Sequence, residues 1–257
     1  MMNKFLKAAS VALVSLALSG AAQAQSALNE ILSDGVLKVG TTGDWNPMSV
    51  RDPATNSYKG FDIDIMTELA TDLGVEVEFV PTDWKTLVNG VVAGQYHITG
   101  SASISPARMK AAGFSESYIS VEIMPFTSKE DAGKFTSHED INKPEVKVAT
   151  TLGTTFEKLV REWYPNADIK VVEAPARGYQ EVLAGRADVF ITSNIEGATL
   201  EEKFGVARVM GATPRSPSPI AMLLPQDDQV WINYVNNWVK LKQAEGFFEA
   251  NKAKWGL

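Results

Sequence analysis

The sequence predicts an α/β protein of two lobes, and three observations carry that prediction. Strand and helix patterns alternate from residue 36 onward, the signature of a parallel sheet with helices on both faces. The alternation restarts near residue 145, giving two series of about 100 residues each and not one long sheet. A tail from residue 220 then carries a strand pattern and two amphipathic helices with no βαβ partner of their own. It is expected to cross back and complete the first lobe.

Taken in order, Val36-Leu-Lys-Val-Gly40 reads as a strand, closed by the Gly/Asp/Asn/Pro turn cluster of residues 43–47. Residues 61–73 place Ile63, Ile65, Met66, Leu69, Ala70 and Leu73 on a largely helical stripe, which Gly74 stops. Residues 75–80 alternate as a half-buried strand, residues 84–93 form a helix, and residues 97–100 a strand. In the second series, residues 146–149 are a strand and Gly153-Thr-Thr opens a helix running to about Tyr164. A strand at 169–172, a helix at 178–184 and a strand at 187–192 follow. The closing helices fall around residues 231–241 and 246–255. A hinge of two extended crossings is expected near residues 120–126 and 215–220. The lobes then divide as 25–121, 122–214 and a return over 215–257.

The chain opens like an exported one. Residues 1–7 carry Lys4 and Lys7, residues 8–21 are apolar, and Ala22-Gln23-Ala24 has the small-x-small pattern of a cleavage site. The apolar run is too short to span a bilayer. Cleavage after Ala24 is expected, taking the formal charge from −7 to −9. The mature chain is expected free in the periplasm, without membrane insertion, as a monomer. Net negative charge argues against nucleic acid and anionic membranes as partners. With no cysteine, thiol chemistry and thiolate metal sites have no ligand to use, and neither His97 nor His138 has a second histidine within ligand spacing, so neither metal nor cofactor is expected.

The run Gly60-Phe61-Asp62-Ile63-Asp64-Ile65, with Leu69, Ala70 and Leu73 behind it, resembles the signature of the family 3 bacterial extracellular solute-binding proteins, the polar amino acid binders of ABC transporters. Further segments agree in order: Gly40-Thr-Thr-Gly-Asp-Trp-Asn-Pro47, Ile104-Ser-Pro-Ala-Arg108, Phe114-Ser115, Gly153-Thr154-Thr155 and Gly185-Arg-Ala-Asp188. The resemblance implies the type II periplasmic-binding fold, closure of two lobes over a ligand, and an inner-membrane ABC permease as partner. It also implies site residues. Arg108 matches the arginine that clamps a ligand carboxylate, a task suited to a permanently charged, bidentate guanidinium. Ser101 and Ser103 fall at backbone and hydroxyl contacts, and Trp45 and Trp84 at an aromatic pair that sandwiches the ligand body. Either tryptophan reads equally as core on size alone. Thr154 and Thr155 stand where a helix N-terminus cradles an anion, a position that also suits an ordinary cap.

The pattern breaks at Ser193. Amino acid binders have an aspartate there for the ligand's α-ammonium, and a buried ammonium without a carboxylate partner is costly. Phe156 makes the pocket more apolar, so a carboxylate with an apolar or ring-shaped body is the expected ligand. The stretch Thr192-Ser193-Asn194-Ile195-Glu196 also resembles the cyclohexadienyl dehydratases, enzymes of this same fold in which the matching glutamate is the general acid acting on prephenate or arogenate. Trp84, Glu157-Lys158 and Gln180 share that likeness. Ser193 and Ile123 depart from it, the latter standing where those enzymes have a lysine. Glu196 therefore has three readings: general acid, ligand contact, or a first-turn residue favoured by the helix dipole. Binding with transport is the first expectation and dehydration the alternative.

Overall fold

The structure, a computed structural model, describes residues 26–257. The expected export segment, residues 1–24, lies outside the described residues. Among the described residues, no helix is long and apolar enough to cross a membrane.

The first lobe opens with α1 (Ala27–Asp34), capped by the Ser26 hydroxyl, and β1 (Val36–Thr41). A small antiparallel sheet follows, of β2 (Asp44–Trp45), β3 (Ser49–Arg51) and β4 (Tyr58–Lys59). Next come α2 (Phe61–Leu73), β5 (Glu76–Pro81), α3 (Leu87–Val92), β6 (Ile98–Ser103), α4 (Pro106–Met109) and β7 (Gly113–Phe114). The long strand β8 (Ile119–Ser128) then leads into the second lobe. That lobe contains α5 (His138–Ile141), β9 (Lys147–Thr151), α6 (Thr155–Trp163) and β10 (Asp168–Val172). It continues with α7 (Gly178–Leu183), β11 (Val189–Ser193), α8 (Asn194–Lys203) and β12 (Val206–Arg208). The second long strand, β13 (Arg215–Leu224), returns to α9 (Gln229–Ala244) and α10 (Phe247–Trp255).

Strand order is β10-β9-β11-β8-β13-β6-β1-β5. Within each lobe the inner strands are parallel, β5-β1-β6 in one and β10-β9-β11 in the other. The long strands β8 and β13 run antiparallel to each other and to these neighbours. Two crossing strands thus join two α/β lobes, as the alternation of the sequence predicts.

Each lobe has apolar clusters of its own. One gathers Leu37, Val39, Phe61, Ile65, Met66, Leu69, Trp231, Val235 and Phe248 from both ends of the chain, which closes the tail onto the first lobe. The other lobe packs Val148, Val160, Tyr164, Val189 and Ile191, with a neighbouring cluster around Phe126, Phe190 and Leu200. Burial of such side chains contributes about 1.5–3 kcal/mol each. Polar ties hold the return in place. Asp228 caps α9 at Trp231 N–H (2.9 Å) and accepts from Ser26 Oγ (2.8 Å) and Ala27 N–H (2.6 Å). Lys242 of α9 pairs with Glu68 (2.7 Å) and Asp72 (2.8 Å) of α2.

The signature helix α2 begins at Gly60, whose φ of 143° brings it against the backbone of Met48. A Cβ there would lie 2.3 Å from the Met48 carbonyl oxygen, so only glycine fits. The helix buries Asp62 behind the sheet. Ser101 donates to both carboxyl oxygens, from its hydroxyl at 2.6 Å and its N–H at 3.1 Å, and Tyr118 joins the cluster at 2.9 Å from the Ser101 hydroxyl.

Burial nonetheless pushes the Asp62 carboxyl up from 3.8 to about 7. The folded state therefore retains a proton there that the unfolded chain releases, and the associated stability is present below the unfolded value and lost as pH rises through about 7. Relative to Asp62→Asn, the native chain should lose up to roughly 1.4 kcal/mol of unfolding free energy per pH unit between about pH 4 and pH 7. Urea unfolding of both proteins across that window checks this, and parallel pH profiles would refute it.

Candidate functional site

The loops that follow the carboxyl ends of the parallel strands face one another across the two lobes, where open α/β sheets place their ligand sites. Between them lies a cavity of about 590 Å³. The first lobe lines it with Trp45, Trp84, Ser103 and Arg108. The second contributes Thr150, Thr151, Thr154, Thr155, Phe156, Arg177 and its neighbours Gly178 and Tyr179, and Thr192 with Glu196.

Seven of the nine residues expected from sequence meet here. Ser101 and Ser193 do not line this cavity. Ser101 is turned to Asp62 and lines a smaller adjoining cavity, and Ser193, fully buried, caps α8 by accepting from the Glu196 N–H at 3.2 Å. A serine makes a good N-cap because its oxygen takes an otherwise orphaned helix donor. Trp45 and Trp84 meet edge to face, with centroids 5.9 Å apart and planes at 75°. Ile123 sits in the second-lobe core and lines a neighbouring groove.

Arg108 is 8% exposed. Its guanidinium donates to two backbone carbonyls, Ser103 at 3.2 Å and, across the cleft, Gly153 at 3.4 Å. Among the described residues no carboxylate lies within ion-pair distance of it, and burial lowers its pKa from 12.5 to about 10. Two further polar groups of cavity-lining residues, Trp45 Nε1 and Thr150 Oγ1, are buried without a protein hydrogen-bond partner. Buried polar groups are normally satisfied, so these two leave hydrogen-bonding capacity at residues that line the cavity.

The opposite wall is ionic. Arg177, the N-cap residue of α7, reaches Asp44 of the first lobe at 2.5 Å and also pairs with Glu196 of α8. Thr192 donates to the second oxygen of Glu196, and the Trp84 indole donates to Asp44 at 3.0 Å. Burial drives the Glu196 carboxyl upward, while Arg177 and Thr192 hold it back. Burial also opposes the charge on Arg177, but Glu196 and Asp44 outweigh it and keep the guanidinium protonated. Sequence reading missed Arg177 and the role of Asp44. The one local signal was a cation at the start of a helix, where the dipole disfavours it.

At the N-terminus of α6 the chain partly fills its own anion cradle. Glu157 accepts from Gly153 N–H at 3.1 Å, and the Thr154 hydroxyl caps Glu157 N–H at 3.3 Å while donating to the Thr151 carbonyl at 2.7 Å. Gly153 has φ of 77°, and a Cβ on it would fall 2.5 Å from the backbone of Lys85 in the other lobe. Lys85 also pairs with Glu173 across the cleft.

Two α/β lobes, two crossing strands and a cleft site fed from both lobes define a type II periplasmic-binding fold. Residues 37–257 match the bacterial extracellular solute-binding proteins, family 3, and the chain belongs to that family. It is 32% identical over 250 residues to the cyclohexadienyl dehydratase of Pseudomonas aeruginosa, an alignment covering 95% of this chain and 92% of the relative. Among solved structures it resembles the ancestral amino acid-binding protein AncCDT-1, described as a precursor of cyclohexadienyl dehydratase, with a TM-score of 0.83 and 37% identity over 90% of this chain and 99% of the other. It also resembles an ancestral cyclohexadienyl dehydratase at 43% identity and a TM-score of 0.54, over 90% of this chain and 96% of the other.

The close approach at Gly153 gives a direct test of lobe packing. Gly153→Ala should hold the lobes apart, raising the radius of gyration by small-angle scattering while leaving far-UV dichroism unchanged. An unaltered scattering profile would contradict this.

Proposed function

We propose that the chain is the periplasmic substrate-binding component of an ABC importer for a small carboxylate-bearing solute, captured between the lobes and delivered to an inner-membrane permease. Arg108 carries this reading. A cation nine-tenths buried, touching only carbonyl oxygens, is costly to hold and becomes favourable once a carboxylate pairs with it. Ser103, Thr154 and Thr155 stand around it with hydroxyl groups, Trp45 and Trp84 supply an aromatic wall, and Phe156 an apolar one. These features suit an organic acid or amino-acid-like molecule with a ring or apolar body. The family's name, and the amino acid-binding ancestor it resembles, support the role in solute capture.

In this mechanism the first lobe takes the carboxylate and the second lobe latches over it, with Gly153 allowing the loops to meet. Arg108→Ala should weaken binding of every carboxylate the native protein takes by at least about a hundredfold, the scale of a lost charge-assisted, bidentate contact. A thermal-shift panel of aromatic acids, aliphatic acids and amino acids, followed by calorimetry, measures it. Native-like affinity in the variant would sink the assignment.

A second reading rests on Glu196. Its carboxyl is buried, driven toward the protonated form, and shares the cavity with Arg108. A protonated acid beside a carboxylate clamp is the equipment for expelling a ring hydroxyl as water while carbon dioxide departs from the same ring. The dehydratase relative supports this reading. Ile123, an apolar side chain buried in the second-lobe core, weighs against it. Incubation with prephenate and with arogenate, assayed for phenylpyruvate and phenylalanine, separates the two. Turnover that Glu196→Gln abolishes would establish the enzyme, and no product at high protein concentration would remove it.

A further inference from the structure

The ionic wall of the cleft has an unusual composition. Two acids from different lobes, Asp44 and Glu196, converge on one point, and the chain places its own guanidinium there. The surroundings are built for the acids. Trp84 Nε1 holds one oxygen of Asp44 at 3.0 Å, and the Thr192 hydroxyl holds one oxygen of Glu196. Each carboxylate thus has one oxygen fixed by its own lobe and the other turned to Arg177. The guanidinium fits this place imperfectly. Although Arg177 Nη1 and Asp44 Oδ2 are 2.5 Å apart, neither completes a hydrogen bond of proper geometry.

We infer that Asp44 and Glu196 form a cation subsite within the cleft, and that Arg177 occupies it in cis. This makes Arg177 a specificity-determining residue, barring solutes that carry a positive charge at the end remote from their carboxylate. The inference rests on the reading of Arg108 as the carboxylate anchor. Both Arg108 and Arg177 line the same cavity, so a solute held at Arg108 extends along a wall that already contains the subsite. With Arg177 in place, the wall's charge is met from within, and a second cation would have to displace a side chain held by two acids. With Arg177 shortened to an apolar residue, the two acids would face the cavity with no counter-ion from the chain. A solute ammonium would then take the position that the guanidinium holds.

The test compares native protein with Arg177→Met by calorimetry. The probes are 6-aminohexanoate with its shorter and longer homologues, the matching unsubstituted fatty acids, and 1,6-diaminohexane. In the variant the amino acids of this series should bind at least about tenfold tighter than the matching fatty acids, and the native protein should show no such preference. Absence of that gain in every homologue overturns the subsite. The diamine reads the acid pair without Arg108. Diamine binding gained by the variant, with no carboxylate bound by either protein, would support the subsite and sink the carboxylate anchor. Carboxylate binding by the native protein, with no gain for amine or diamine in the variant, would sink the subsite alone. If two facing acids prevent Arg177→Met from folding, Arg177→Met combined with Asp44→Asn relieves their repulsion and keeps Glu196 as the reporter, with the same expected selectivity.

Discussion

The antiparallel pairing of β8 with β13 is the contact on which the rest of the architecture depends. Each strand belongs to both lobes and changes partner along its length. Residues 119–121 of β8 pair with β13, while Ile123 to Phe126 pair with β11 of the second lobe. On β13, Ile220 to Leu223 pair with β6 of the first lobe. The register between the two strands shifts between Arg215 and Ser218, a stretch containing Pro217, and Pro219 follows. Proline offers no N–H to a ladder, so the crossing lacks backbone donors at these two positions. Under the proposed function, this pair of strands is where the two lobes would hinge.

Where local pattern decides structure, the sequence was readable. The stripe of residues 61–73 became α2 with those bounds, because its apolar positions share one face and Gly74 adopts a left-handed conformation at its end. Strands of five or six residues also fell within a residue or two of their expected bounds, except β6, which runs three residues past its expected end at Gly100. The small sheet of β2, β3 and β4 had no period to show, since its strands are two or three residues long. The helix expected from Trp84 begins only at Leu87, because Asp83 holds the intervening residues in a turn through Thr86. The site divides in the same way. Arg108 and the tryptophans sit in motifs, whereas Arg177 acquires its meaning only from Asp44, which reaches it from the other lobe.

The two arginines of the cleft differ in what stabilises them. Arg108 meets only peptide dipoles, so its desolvation is not matched by a full opposite charge from the chain. Arg177 is enclosed by two carboxylates that keep it charged in spite of burial. Under the proposed function, an incoming carboxylate would be drawn to the arginine that lacks a counter-ion and would gain little from the one that has two.

Under the proposed closure, the same arrangement would couple lobe motion to the state of Glu196. Asp44 reaches Arg177 from the first lobe, while Glu196 and Thr192 lie with Arg177 in the second. Separating the lobes removes Asp44 from the cluster and leaves Arg177 and Glu196 as a simple pair of opposite charges, which favours the carboxylate form. With the lobes together, burial and the nearby Asp44 charge both raise the Glu196 carboxyl. Closure of the proposed kind would push Glu196 toward taking up a proton. Capture requires only that closure hold the solute. Chemistry would require in addition that Arg177 release Glu196 once the solute is in place, and the cross-cleft contact with Asp44 is what holds Arg177 where it is.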